Sequence, residues 1–145
     1  MIGLIYGKYE NGWKLNICQI GEYKYLQMSA LDLFNKSKKQ YTKGRLVDAA
    51  NNIFLAQRLL NPLNQIWIYN NKKEIEDFFD KIKKEINEKY KFPLTLDNIK
   101  SKPILLGISP QVLNQGIIPV IDYQSNINLK DTFVLKNEYI EIAEF

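Results

Sequence analysis

Histidine is absent from this chain of 145 residues. That removes the commonest general base, the commonest metal ligand and the one side chain that titrates near neutrality. Ser-His and Cys-His nucleophile systems are therefore excluded. Cysteine is nearly absent too: Cys18 is the only one, so neither an intramolecular disulfide nor a thiolate zinc cage can form. A single thiol fits a reducing compartment, and the expected location is cytoplasmic. Arginine occurs only at Arg45 and Arg58, which leaves few bidentate groups for reading nucleic-acid bases. No apolar run approaches the roughly 20 residues of a membrane span, and nothing near Met1 reads as a signal peptide. Glycine motifs that cradle phosphates, G-x-G-x-x-G and G-x-x-x-x-G-K-[ST], do not occur. No catalytic residue, metal ligand set or cofactor is implied. Asp97, Asp122 and Asp131 are carboxylates without a companion motif.

What is present is ordinary for a folded protein. Hydrophobic residues make up 46% and charged residues 25%, and a chain of this length buries roughly 68–70% of its unfolded surface without a staple. Asparagine, lysine and isoleucine are abundant, a bias expected of an AT-rich, bacterial-type gene. The net charge of +4 is polarised: residues 1–45 carry eight basic and three acidic side chains, residues 120–145 two basic and five acidic.

The pattern predicts one α+β domain over 1–145, with an N-terminal antiparallel meander, a mixed sheet, two main helices and a C-terminal β-hairpin. Residues 2–9 and 13–20 are β-rich around Asn11-Gly12, a tight-turn signal, and 23–28 supplies a third strand. Alternation puts Trp13, Leu15 and Ile17 on one face and Lys14, Asn16 and Cys18 on the other. Ser29 and Asp32 form a capping box for a short helix over 30–37, followed by a lysine-rich connector. Helices are predicted over 46–60, largely buried, and over 72–90, with Ile75, Phe78, Phe79, Ile82, Ile86 and Tyr90 as its apolar stripe. On that second helix Asp77–Lys81, Asp80–Lys84 and Glu85–Lys89 stand at ion-pair spacing. Strands are expected at 65–69, 103–107 and 117–123, the last an edge because of Pro119. Ser109-Pro110 and Gly116 read as the start and stop of a short helix, and 132–136 with 139–144 as a hairpin exposing Glu138, Glu141 and Glu144.

Two surfaces stand out. Tyr6, Tyr9, Trp13, Tyr23 and Tyr25 crowd the predicted meander, and aromatic residues of this kind are enriched where proteins meet. They also pack across strands in ordinary sheets. Lys36, Lys38, Lys39, Tyr41, Lys43 and Arg45 form a basic segment around an aromatic, a surface suited to phosphates and equally to a solvated connector. The first surface points to a non-catalytic protein-binding module, in its concrete form a small bacterial immunity or inhibitor protein that neutralises a toxin or enzyme. The alternative is a nucleic-acid-binding protein, a nuclease among them, using 36–45.

Overall fold

The computed structural model describes residues 1–64 and 67–144. It is an α+β fold of four helices and antiparallel sheets. Strands β1 (Ile2–Tyr9) and β2 (Gly12–Ile20) pair across Glu10 and Asn11. Gly12 takes a positive φ (113°), as the Asn11-Gly12 signal predicts, while Asn11 does not; Gly12 is already paired with Tyr9 as the first residue of β2. The register shifts between Ile5 and Tyr6: Ile5 faces Ile17, Tyr6 faces Leu15, and Asn16 is the extra residue of a bulge.

The bulge corrects the faces expected from alternation. Beyond it, Trp13 and Leu15 change sides and join Cys18 and Ile20 rather than Ile17. No third strand extends the meander. Residues 24–25 (β3, Lys24–Tyr25) pair instead with β4 (Met28–Ser29) in a separate small ladder. Among the described residues β1 and β2 therefore form a two-stranded arm. Its base is tied down by Met1 and Gly21, which exchange backbone hydrogen bonds of 2.8 and 3.0 Å. Gly3 lies on Leu63 and Gly21 on Pro62.

Ser29 caps α1 (Ala30–Thr42) as its spacing predicts. Its hydroxyl accepts from the Asp32 N–H at 3.3 Å, and Asp32 Oδ2 accepts from the Ser29 N–H at 2.9 Å. The hydrogen bonds from the Ser29 side chain and backbone hold the Asp32 carboxyl below its ordinary pKa. This contribution to the fold is present at neutral pH and is lost as the pH falls through that lowered value. The helix runs to Thr42, so residues 36–42 of the lysine-rich segment are its second half, and only Lys43, Gly44 and Arg45 connect it to the next helix. Lysine and glutamine are good helix formers.

Helix α2 (Leu46–Arg58) is buried on nearly every side, as expected, and packs between α1 and α3 (Lys72–Tyr90). Leu33 and Phe34 of α1, Ile53 and Leu59 around α2, and Ile75 and Ile82 of α3 form the main core. Aromatic edges lock it: Phe34–Phe78 and Phe54–Phe79 have centroids 5.6 and 5.2 Å apart. The Ser37 hydroxyl, fully buried, donates to the Ala49 carbonyl at 2.6 Å and joins α1 to α2. The ion pairs on α3 are Lys72–Glu76, Lys73–Asp77 and Lys84–Glu88 rather than the three expected, because Glu85 and Lys81 are drawn to Tyr41.

The remaining strands form a sheet of order β5–β6–β7, with β5 Leu94–Thr95, β6 Ile104–Leu113 and β7 Gly116–Gln124. All observed pairings are antiparallel, so the expected mixed sheet is corrected. Pro119 does lie on an edge strand. Ser109-Pro110 sits inside β6, where pairing with β7 (Ile108 to Ile121, Pro110 to Pro119) overrides the local helix signal. Val112 and Ile117 at the tip of β6–β7 reach the main core, while Leu105 at its base joins Leu96, Ile99 and Ile142 in a second cluster. The C-terminal hairpin is thus β6–β7. Residues 132–136 and 139–144, expected as its strands, form helix α4 (Thr132–Glu144), whose start is capped by Asp131 Oδ1 accepting from the Val134 N–H at 3.2 Å. Of the strand expected at 65–69, residues 65 and 66 lie outside the described residues, and Trp67–Tyr69 is not a strand.

Candidate protein-interaction surface

Pairing and parity give the arm two unlike faces. One carries Ile2, Leu4 and Tyr6 from β1 with Trp13, Leu15, Cys18 and Ile20 from β2, and Lys8 is its only charge. The other carries Gly3, Ile5, Gly7 and Tyr9 with Lys14, Ile17 and Gln19. On the first face, Ile20 is 81% exposed, Trp13 69% and Ile2 66%. Leu4, Tyr6 and Leu15 are each about half exposed. Cys18 is also exposed, with its thiol free. Neither strand packs extensively on a helix. An isolated two-stranded hairpin is marginal in water, so a bare apolar face here is costly unless something covers it. For side chains of this size the exposure amounts to about 800 Å², above the roughly 300–600 Å² of the largest patch on a typical monomer.

Of the five aromatics singled out from the sequence, two meet on this face, Tyr6 and Trp13. Tyr9 is on the opposite face, where its hydroxyl donates to Asn16 Oδ1 at 3.1 Å and Lys14 lies 5.6 Å from its ring centroid. Tyr23 lies outside the arm, beneath Lys24. Tyr25 belongs to β3 and packs against the main core, its hydroxyl donating to Glu22 at 3.0 Å. Burial, and then the Glu22 carboxylate, push its pKa up. The face also holds Ile2, Leu4, Leu15, Cys18 and Ile20, which composition did not single out. The signal that finds them is the cross-strand register, since the bulge reverses the parity of Trp13 and Leu15.

The basic segment is divided by its helix. Lys38 turns to α3, bonding Glu74 at 3.2 Å and lying 4.0 Å from the Phe34 ring centroid. Tyr41 is committed to the same interface: its hydroxyl donates to Glu85 at 2.8 Å, Phe78 meets its ring edge-on, and Lys81 covers it. It does not offer a face to a base. Lys36 and Lys39 lie on the other side of α1, Lys43 is its C-terminal cap residue, and Arg45 stands at the start of α2 without a side-chain cap bond.

Helix α4 holds a polar group that sequence reading placed in solvent. Glu138 is 2% exposed, and among the described residues neither of its carboxylate oxygens has a hydrogen-bond partner. The Tyr123 pKa is raised first by burial and then by the charges of Glu138 and Tyr139. A buried carboxylate without a partner is costly. Glu138→Leu is therefore expected to raise stability by about 1–3 kcal/mol, read as a higher urea midpoint at unchanged slope. A loss of stability would show that the carboxylate is held by a group it needs.

Beside Glu138 is an open hollow of about 410 Å³ lined by Lys100, Ser101, Val134 and Glu141 among others. Among the described residues no three Cys, Asp or Glu side chains come together as a metal site, and no helix is long and apolar enough to cross a membrane. The arm's apolar plane is a surface suited to contact and shape matching. No family model, curated protein or solved structure was found to match this chain.

Proposed function

We propose that this chain is a non-catalytic protein-interaction module whose contact element is the β1–β2 arm. The supporting observation is the plane of Ile2, Leu4, Tyr6, Trp13, Leu15 and Ile20, left exposed among the described residues. Water is a poor solvent for such a face, and burying it against another protein is the direct way to remove the cost. Trp13 and Tyr6 are the side chains expected to dominate the contact energy. A small bacterial immunity or inhibitor protein, holding a toxin or enzyme, is the narrower form of this reading. Its partner would present an apolar surface rather than an acidic one, since Lys8 is the only charge the face offers.

The test is capture by tagged protein under nuclease treatment, with Trp13→Lys/Leu15→Lys in parallel. The expected result is one stoichiometric protein retained by the wild type and lost by the variant. Equal capture by both would remove the arm from the case. The three lysines facing solvent on α1 and at its C-terminal end, Lys36, Lys39 and Lys43, support the second reading, nucleic-acid binding. It requires binding whose logarithm falls steeply with the logarithm of salt concentration, and whose slope shrinks when these lysines become Gln. Binding that is flat with salt would eliminate it.

A further inference from the structure

We infer that the apolar face of the β1–β2 arm is covered by the same face of a second copy of this chain, the two arms packing antiparallel across a two-fold axis. The inference rests on the arm being the contact element and adds what sits on it.

Area is the first argument. The face offers about 800 Å², which is what one partner contributes to a standard interface of about 1,600 Å². Two copies meeting face to face therefore reach that size using nothing beyond the arm.

Charge is the second. The face carries one cation, Lys8, and no carboxylate. It has no acidic group to match against a basic partner and only one cation to match against an acidic one. Its natural complement is another apolar plane. Lys8 lies near the tip, opposite Trp13, and Ile2 lies opposite Ile20 at the base. Antiparallel packing places the two Lys8 side chains at opposite ends, about 20 Å apart along the strands, beyond a Debye length at physiological salt. Parallel packing would superpose them.

Shape is the third. Tip-ward positions hold the bulky Tyr6 and Trp13, and base positions hold the smaller Ile2, Leu4, Cys18 and Ile20. Antiparallel packing sets large against small along the length of the interface, the way close-packed layers interdigitate. Each residue pair then occurs twice, as an isologous contact requires.

Cys18 supplies an internal reporter. It is the only cysteine, it is exposed in the single copy, and it lies on the face the second copy would cover.

The experiment measures mass by light scattering across a concentration series, together with the rate at which a maleimide labels Cys18. It uses the wild type, Trp13→Lys/Leu15→Lys, and Tyr9→Ser on the opposite face. The expected wild-type mass is twice 17.0 kDa, with Cys18 labelling slowed at least tenfold at high concentration. The double variant should run as a single copy with fast labelling and an unchanged helical circular-dichroism signal, while Tyr9→Ser stays double. A wild type of single mass at every concentration overturns the second copy. If the double variant nonetheless loses a captured protein of different mass, the arm remains the contact element and only its occupant is wrong. If the double variant changes neither mass nor capture, the arm reading falls as well. A double mass that survives both lysines also overturns the inference, because the copies then meet elsewhere.

Discussion

Phe34→Ala is expected to cost about 3–5 kcal/mol, the range for truncating a fully enclosed aromatic. Phe34 is 1% exposed, lies edge-on to Phe78 at 5.6 Å, and carries the Lys38 ammonium 4.0 Å from its ring centroid on the outer side. The truncation opens a cavity where α1 meets α3 and releases the Lys38–Glu74 pair from one of its supports. Set against a total of about 5–15 kcal/mol for a domain, this is about a fifth of the stability or more. The melting midpoint should drop by about 10 °C, and the denaturant midpoint should fall at unchanged slope, since the unfolded surface hardly differs. A loss below about 1 kcal/mol would mean that Phe34 does not sit in the enclosed position described.

Gly21→Ala is expected to be nearly as damaging, by a different route. A Cβ at Gly21 would overlap the carbonyl oxygen of Pro62, with the Pro62 carbonyl carbon and Cα close behind. These are backbone atoms and cannot turn aside. Gly21 is itself held by two hydrogen bonds to Met1, so it cannot retreat without opening the arm's base. We expect a loss at the upper end of overpacking, about 3 kcal/mol, with faster amide hydrogen exchange in residues 2–20 than in α2. Gly3→Ala is the control. Its Cβ would meet Leu63 Cδ1 at 2.8 Å, the end of a side chain that can rotate away, and the loss should be clearly smaller. Equal losses at the two positions would show that the Gly21–Pro62 contact is not what anchors the arm.

Signals that act within a few residues were legible from the sequence. The Ser29–Asp32 box starts α1 because both hydrogen bonds close within one turn. The stripe from Ile75 to Ile86 reads as the inner face of α3 because helical periodicity is a local property. The turn at Asn11-Gly12 is likewise local, with Gly12 supplying a positive φ. The start of α4 was legible as well and passed over: Asp131, capping a helix three residues before Val134, is an N-terminal signature of the ordinary kind. The β-rich composition of 132–144 masked it. Residues 36–42 of the lysine run are helical by propensity, which a solvated connector does not require.

Other features depended on partners distant in the chain. The bulge at Asn16 arises from how β2 pairs with β1, and that one extra residue transfers Trp13 and Leu15 to the face of Tyr6. No count along β2 alone reveals it. The same holds for Ser109-Pro110, whose helix signal yields to pairing with β7, and for Tyr41, which α3 removes from the basic surface through Glu85 and Phe78. Glu138 looks solvent-facing in any local window and is buried only because α4 lies against the β5–β7 sheet through Ile142.

By itself, then, the sequence determined the α+β class, the arm's two strands, the α1 cap, the amphipathic α3 and the exclusion of histidine- and disulfide-based chemistry, because composition and short-range hydrogen bonding settle these without reference to the rest of the chain. Only the tertiary structure decided that the arm stands as two strands without a third, that its bulge gathers an apolar plane on one side, and that Tyr41 and Glu138 are enclosed. Each of those outcomes depends on cross-strand register or on packing between elements far apart in sequence, and neither is encoded in any single segment.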